Sequence, residues 1–574
     1  MKYLPLIILP ALIFISHESC RNKITPPSAE LIRQLYLKEG AVISCGAPGE
    51  QFGAVNFDIT CDSGAKKDFN LAIELLHSFE YEDAEKMFAK VIASSPACAM
   101  AYWGVAMCNF HPLWTPPAEA ELRKGKKALE IAGGIVSKSP RETGYINALA
   151  LFYSDWDKKD HHARCVLFEK AMEGLYNSFP EDSEAAIFYA LALDASAVPT
   201  DKTYTNQKKA AAILNAMYAK QPEHPGIIHY LIHTYDYPGL AGLGLEVAKQ
   251  YARVAPSSAH ALHMPSHIFT RLGLWDDAIH SNLESVNAAR CYAEQAKITG
   301  HWDEELHGLD YLEYGYLQKG NNKEAKEQVE YLDSIQSVYP VNFKIAYAFA
   351  AIPSRYVLEN RLWRQAAVAP LLQRNFSWSQ FPWQEAIVHF TRLLGAVHLR
   401  DTISSATELK KLNQLRDTLT HQKDNYKANQ VAIQVKAGEA WIAFANGYKE
   451  MAITEMRLAA SMEDSTEKHP VTPGEILPAR ELLGDMLTEA GDYNAAGQAY
   501  EQVLQKSPNR FNSLYGAGRA AEKSGDRKKA TDYFLQLLSL SGKKNIQRPE
   551  ASHALQFVNK FATIDLNEHM REVQ

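Results

Sequence analysis

The stretch that decides the fold runs from residue 224 to residue 316. It reads H-P-G-I-I-H-Y-L-I-H-T-Y-D over 224–236, S-S-A-H-A-L-H-M-P-S-H-I-F-T-R-L-G-L-W over 257–275 and E-L-H-G-L-D-Y-L-E-Y-G-Y over 305–316. Nine of the 20 histidines fall between 224 and 307. Two i, i+4 pairs stand out, His229 with His233 and His263 with His267, and the second pair lies 34 residues after the first. A 34-residue period is that of a repeating helix–turn–helix unit, so the pairs should occupy equivalent places on successive helices.

The same spacing recurs outside the stretch. Pro222 and Pro256, Gly239 and Gly273, and Gly491 and Gly525 are each 34 residues apart. Helical periodicity begins at Lys66 and continues almost to the end of the chain. Ala84, Phe88 and Pro96, in the unit D-F-N-L-A-I-E-L-L-H-S-F-E-Y-E-D-A-E-K-M-F-A-K-V-I-A-S-S-P, stand where tetratricopeptide repeats have their small, aromatic and proline residues. Over most of 66–540 the chain resembles that family, most specifically over 483–540 and well over 66–110 and 222–330. It also resembles a group of exported bacterial repeat proteins in the segments A-M-A-Y-W-G-V-A-M, H-P-L-W, H-A-L-H-M-P-S-H-I and N-R-F-N-S-L-Y-G-A-G-R-A-A.

The resemblance implies an all-α fold, a tetratricopeptide-repeat helical solenoid. The expected divisions are a signal peptide (1–20), a tether and short irregular segment (21–65), a solenoid with a histidine-lined groove (66–335), irregular helical repeats (336–432) and C-terminal repeats (433–574). A β-like segment is expected near Val55 to Thr60. In this family the first helix of each unit lines the concave groove, chiefly from repeat positions 2, 5, 9, 12 and 13. With Gly239, Gly273 and Gly320 set at position 15, His229, His263 and Asp310 fall at position 5. His233, His267 and Tyr314 fall at position 9, and His260 and His307 at position 2. His77 and His111, again 34 apart, fall at position 13. His280 falls on a second helix, and His161 and His162 are expected in a solvated loop.

Side chains at i and i+4 project from one helix face. Adjacent helix axes lie roughly 8–10 Å apart, so imidazoles from two helices can converge. Neutral imidazoles bind Zn, Cu, Ni or Fe. His229, His233, His263 and His267 therefore form the expected metal site, with Asp310 as a ligand or as the partner of a ligand. His77, His111, His260, His307 and Tyr314 complete the expected ligand groove, beside Trp103 and Trp114, with Arg355 as an anion contact. Two functions remain open. One is a metal carrier or a metalloenzyme of unknown reaction; the other is a scaffold holding a peptide or protein in the groove without metal. Pro265, inside the second pair, should kink the helix. Its consequence is either tolerated strain or a re-aimed His267.

The rest of the chain narrows the classes. At 574 residues it is too long for one compact core. A hydrophobic content of 46% suits a folded protein, and a net charge of −7 gives no reason to expect nucleic acid. Lys2 and the apolar run Leu4 to Ile15 read as an export signal. Ser19-Cys20 resembles a bacterial lipoprotein cleavage site, which implies a lipid tether at Cys20 and a place in the cell envelope. An exported chain can keep disulfides, and Cys45 with Cys61 is the expected pair. There is no CxxC, HExxH, G-x-S-x-G, Walker loop or dinucleotide fingerprint. A general base would have to come from Asp310, Asp236 or Glu304.

Overall fold

The computed structural model describes residues 26–572, apart from 48, 50, 114–115, 373–375 and 543–546, and side chains only as far as 560. Cys20, the signal segment and Trp114 lie outside the described residues. The fold is an α-helical repeat solenoid in which each helix packs chiefly on its neighbours in sequence. Among the described residues, strand pairing is limited to two residues on each side, His301–Trp302 beside Val338–Tyr339. No described helix is long and apolar enough to cross a membrane.

Six helices position the site. Helix α1 (Lys66–His77) follows the amphipathic rule, burying Phe69, Ala72, Ile73 and Leu76. Helix α2 (Ser183–Ala195) is capped by Asp182, whose carboxylate accepts from the Glu184 and Ala185 amides. Helix α3 (Pro225–Tyr235) begins with proline at its first position, where no backbone donor is needed, and His224 accepts from the Ile227 amide. Every residue of α3 is buried, so it is a core helix. Pro265 splits the next helix into α4 (Ala259–His263) and α5 (Pro265–Leu272), with Met264 still in the right-handed helical region. Helix α6 (Asp303–Gln318) carries His307 and is almost wholly buried.

The solenoid closes on itself. Helix α1 touches α3 across some 150 residues of chain, and α6 touches the Phe511–Ser524 helix across some 200. Gly273 ends α5 in the left-handed conformation (φ +66°), and Gly320 closes the turn after α6 (φ +71°). A β-carbon on Gly273 would stand 2.2 Å from the Pro508 carbonyl oxygen. The glycine that turns one repeat is thus also where a distant repeat docks.

Two expectations are corrected here. Residues 51–59 form an extended strap, not a strand. Several of its amides are satisfied from outside the strap: Gln51 donates to the Ser257 hydroxyl, Ala54 to the Glu223 carbonyl, Val55 to Glu74 and Phe57 to Asn70 Oδ1, and Thr60 just beyond it donates to Glu142. The cysteines pair as Cys45–Cys291 and Cys61–Cys98, with Cα separations of 5.9 and 5.1 Å. Cys45 does not reach Cys61 because the strap runs past α3 and carries Cys45 to the far helix Trp275–Gln295.

Candidate metal centre

Six histidines from α3, α4, α5 and α6 meet in the interior, in two sets of three. His229, His233 and His260 form one, and His263, His267 and His307 the other; within each set the ligating atoms lie within 4.8 Å of one another. All six are buried, between 0 and 8% exposed. The groove implied by the resemblance is filled rather than open, and Phe79 and Tyr251 pack against the His229 ring at 4.3 and 5.3 Å.

The outer ring nitrogens fix the tautomers. His229 Nδ1 donates to the His77 carbonyl at 2.6 Å, a group that only accepts. His263 Nδ1 donates to Asn282 Oδ1 at 2.6 Å, while the Asn282 amide nitrogen donates to the Ala278 carbonyl. His267 Nδ1 donates to Asp236 Oδ2 at 3.0 Å. With their protons placed outward, these three neutral rings present bare Nε2 lone pairs inward. Metal-bound histidines are held in just this way, with the other ring N–H on an oxygen acceptor.

The inner nitrogens are correspondingly crowded. His263 Nε2 and His267 Nε2 lie 3.1 Å apart, and neither has a proton to offer the other. His229 Nε2 has His233 Nε2 at 3.1 Å and His260 Nε2 at 3.2 Å. A nitrogen with one lone pair cannot serve two donors well. Ligands on a tetrahedral ion with bonds of about 2.0–2.1 Å stand about 3.3 Å apart, close to these separations. A proton shared between the rings would bring a buried charge instead. Burial and the neighbouring imidazoles push His229, His233, His263 and His307 well below the usual histidine range. Burial also lowers His267, against the pull of Asp236.

Charged residues stand behind the imidazoles. Asp236 accepts from Arg271 Nε and Lys468 Nζ, both at 2.8 Å. Burial opposes ionisation of Asp236, but Lys468, Arg271 and His267 hold it well below the carboxylate range. Glu304 Oε2 lies 3.8 Å from His260 Nδ1, and Glu304 is paired with Lys344. The Tyr311 hydroxyl is 3.4 Å from His267 Nε2.

A third group, His77, Glu184 and His224, differs in kind. Glu184 accepts from His77 Nε2 at 3.0 Å and from His224 Nε2 at 2.8 Å. His77 Nδ1 accepts from Tyr230, and His224 Nδ1 from the Ile227 amide. Every ring nitrogen is occupied, so this group is a closed hydrogen-bond network that sets the His77 carbonyl beneath His229.

The other expected site residues separate from the imidazoles. Asp310 is ion-paired with buried Arg355, which also donates to the Gly474 carbonyl at 2.9 Å. The arginine comes from the neighbouring helix Phe343–Glu359, which packs on α6. Burial raises Asp310 to about 6 despite Arg355. Tyr314 accepts from Arg510 at 3.3 Å. His111 is half-buried and bonded to Glu121 at 3.1 Å. His280 is exposed and 3.5 Å from Glu284. His162 is exposed, but His161 is half-buried beside Phe152, and burial lowers it to about 4. Trp103 is core. Asn282, Lys468 and Tyr311 carried no signal in the sequence; Glu184 and His224 could be joined only once α1, α2 and α3 were seen to meet.

Fold and site together define a closed helical-repeat solenoid around buried imidazoles. No family model and no curated protein matches the chain. Among solved structures it aligns with the APC/C hetero-tetramer Cut9–Hcn1 at 13% identity, over 87% of this chain and 96% of that one, with a TM-score of 0.27. The P58(IPK) TPR domain aligns at 13% identity over 66% and 99% (TM-score 0.20), and the human IFIT1 dimer with PPP-AAAA at 10% over 78% and 91% (TM-score 0.34). Likenesses at these TM-scores carry no argument about this chain.

Proposed function

We propose that this chain is an exported repeat-solenoid protein that holds transition metal in a buried, all-imidazole centre. The observation that carries the reading is the His263–His267 contact: two Nε2 atoms 3.1 Å apart, each with its proton committed to an oxygen on the other side of the ring. Such a contact is unfavourable in a neutral metal-free site and natural around a cation. The donor set, neutral nitrogen without sulfur, suits Zn, Cu, Ni or Fe. Three protein ligands in a set leave a further coordination position, as sites that do chemistry have and purely structural zinc sites lack. Export rests on the N-terminal sequence and is supported by the two disulfides, which suit an oxidising compartment. The tether at Cys20 rests on sequence alone.

The burial of the imidazoles favours this reading over a peptide held in the histidine groove. Lys468 and Arg510 reach in from the C-terminal half, and the imidazoles are buried. A protein partner would have to use an outer face. Elemental analysis of the purified full chain, after incubation with Zn²⁺, Cu²⁺ or Ni²⁺ and removal of free metal, tests the reading. Retained metal that falls in a His263→Ala, His267→Ala double variant is expected; a wild-type protein that stays metal-free contradicts it.

A further inference from the structure

The two histidine sets obey one rule. In the first, an i, i+4 pair on one repeat, His229 and His233 at positions 5 and 9, is joined by His260 at position 2 of the next repeat. In the second, His263 and His267 stand at positions 5 and 9, and His307 at position 2 of the repeat after that. The third ligand follows the first by 31 residues in one set and 44 in the other; the difference of 13 is the insert that also separates Gly273 from Gly320 by 47 rather than 34. A three-imidazole site has thus been built twice, one repeat apart. The construction stops at the following repeat, where positions 5 and 9 are Asp310 and Tyr314 and both face arginines.

The two sets adjoin. The His233 and His267 rings are 5.9 Å apart, and those of His260 and His263 6.3 Å. We propose that the chain holds a pair of metal ions, one in each three-imidazole set, and that the pair is cuprous copper. This rests on the metal-centre reading above. The choice of copper follows from coordination and charge. Both sets supply neutral nitrogen only. The fixed charges nearest them bring no surplus of negative charge: Asp236 faces both Arg271 and Lys468, while Asp303 and Glu304 share Lys344. Two divalent ions would leave four uncompensated positive charges in a buried site, and two monovalent ions only two. Imidazole is an accepted copper donor.

The test loads the full-length wild-type protein with Cu⁺ without oxygen, in a chelator competition, and separately with Zn²⁺. Bound metal is counted, and crystals of the loaded protein are examined by anomalous diffraction at the metal edge. Two copper ions per chain, with one peak among His229, His233 and His260 and another among His263, His267 and His307, are expected. The His229→Ala, His233→Ala variant should keep the second ion, and the His263→Ala, His267→Ala variant the first. A single ion, or a single peak, overturns the pair while leaving the metal centre standing. Two Zn²⁺ ions with no retained copper overturn the copper assignment alone. No metal of either kind overturns the centre itself. Should the variants fail to fold, the wild-type anomalous peaks decide the question.

Discussion

Lys468 Nζ lies 2.8 Å from Asp236 Oδ2, although the two residues are 232 positions apart in the chain. The same carboxylate oxygen receives the Nδ1 proton of His267 at 3.0 Å. The C-terminal half therefore takes part in orienting a histidine of the centre, and closure of the solenoid and order at the centre are coupled.

Replacing Lys468 with methionine should loosen that closure. Removing one member of a buried charge group typically costs 3–5 kcal/mol, and here roughly 3 is expected because Arg271 remains on Asp236. Urea unfolding measures the loss, and amide hydrogen exchange should rise over 465–478. An unchanged unfolding midpoint would show that Lys468 is not part of the closure.

Asn282→Leu removes the acceptor that fixes the His263 tautomer. Loss of such a partner typically weakens metal binding 10–100-fold. Chelator competition reads the affinity. Wild-type affinity in this variant would mean that the orientation of His263 does not matter to the metal.

Asp310→Asn separates the sequence expectation from the structure. A carboxylate among the imidazoles would lose metal affinity and leave folding intact. On Arg355, Asp310 is structural, so stability should fall by roughly 3 kcal/mol with metal affinity unchanged. A metal titration and a metal-free unfolding curve on the same variant decide between them.

Cys291→Ser opens the disulfide that pins the N-terminal strap to the helix behind the centre; its partners are 246 residues apart. Native disulfides commonly contribute about 2–4 kcal/mol. The variant should melt lower and release metal to a chelator faster. Equal release rates would show that the strap does not guard the centre.

The repeat register was readable because a 34-residue period is local: each unit repeats the same short contacts. It placed His260 and His307 at one position and the two i, i+4 pairs at two others, and these six are the residues that meet in the two sets. The grouping into threes was not readable, because it depends on how far each helix is displaced from the next. Nor were the contacts made by closure. Lys468 on Asp236 and Cys45 on Cys291 join residues 232 and 246 positions apart, and a nearest-neighbour period says nothing about such distances. Cys45 and Cys61 are near in sequence, but the carboxylates that anchor the strap hold them on different helices.

X-ray absorption at the edge of the bound metal tests the central claim most directly. An all-imidazole centre predicts a nitrogen shell at about 2.0 Å with the outer-shell scattering of imidazole rings and no sulfur contribution. A shell of oxygen alone, or one containing sulfur, would contradict it, because the buried imidazoles would then not be what holds the metal.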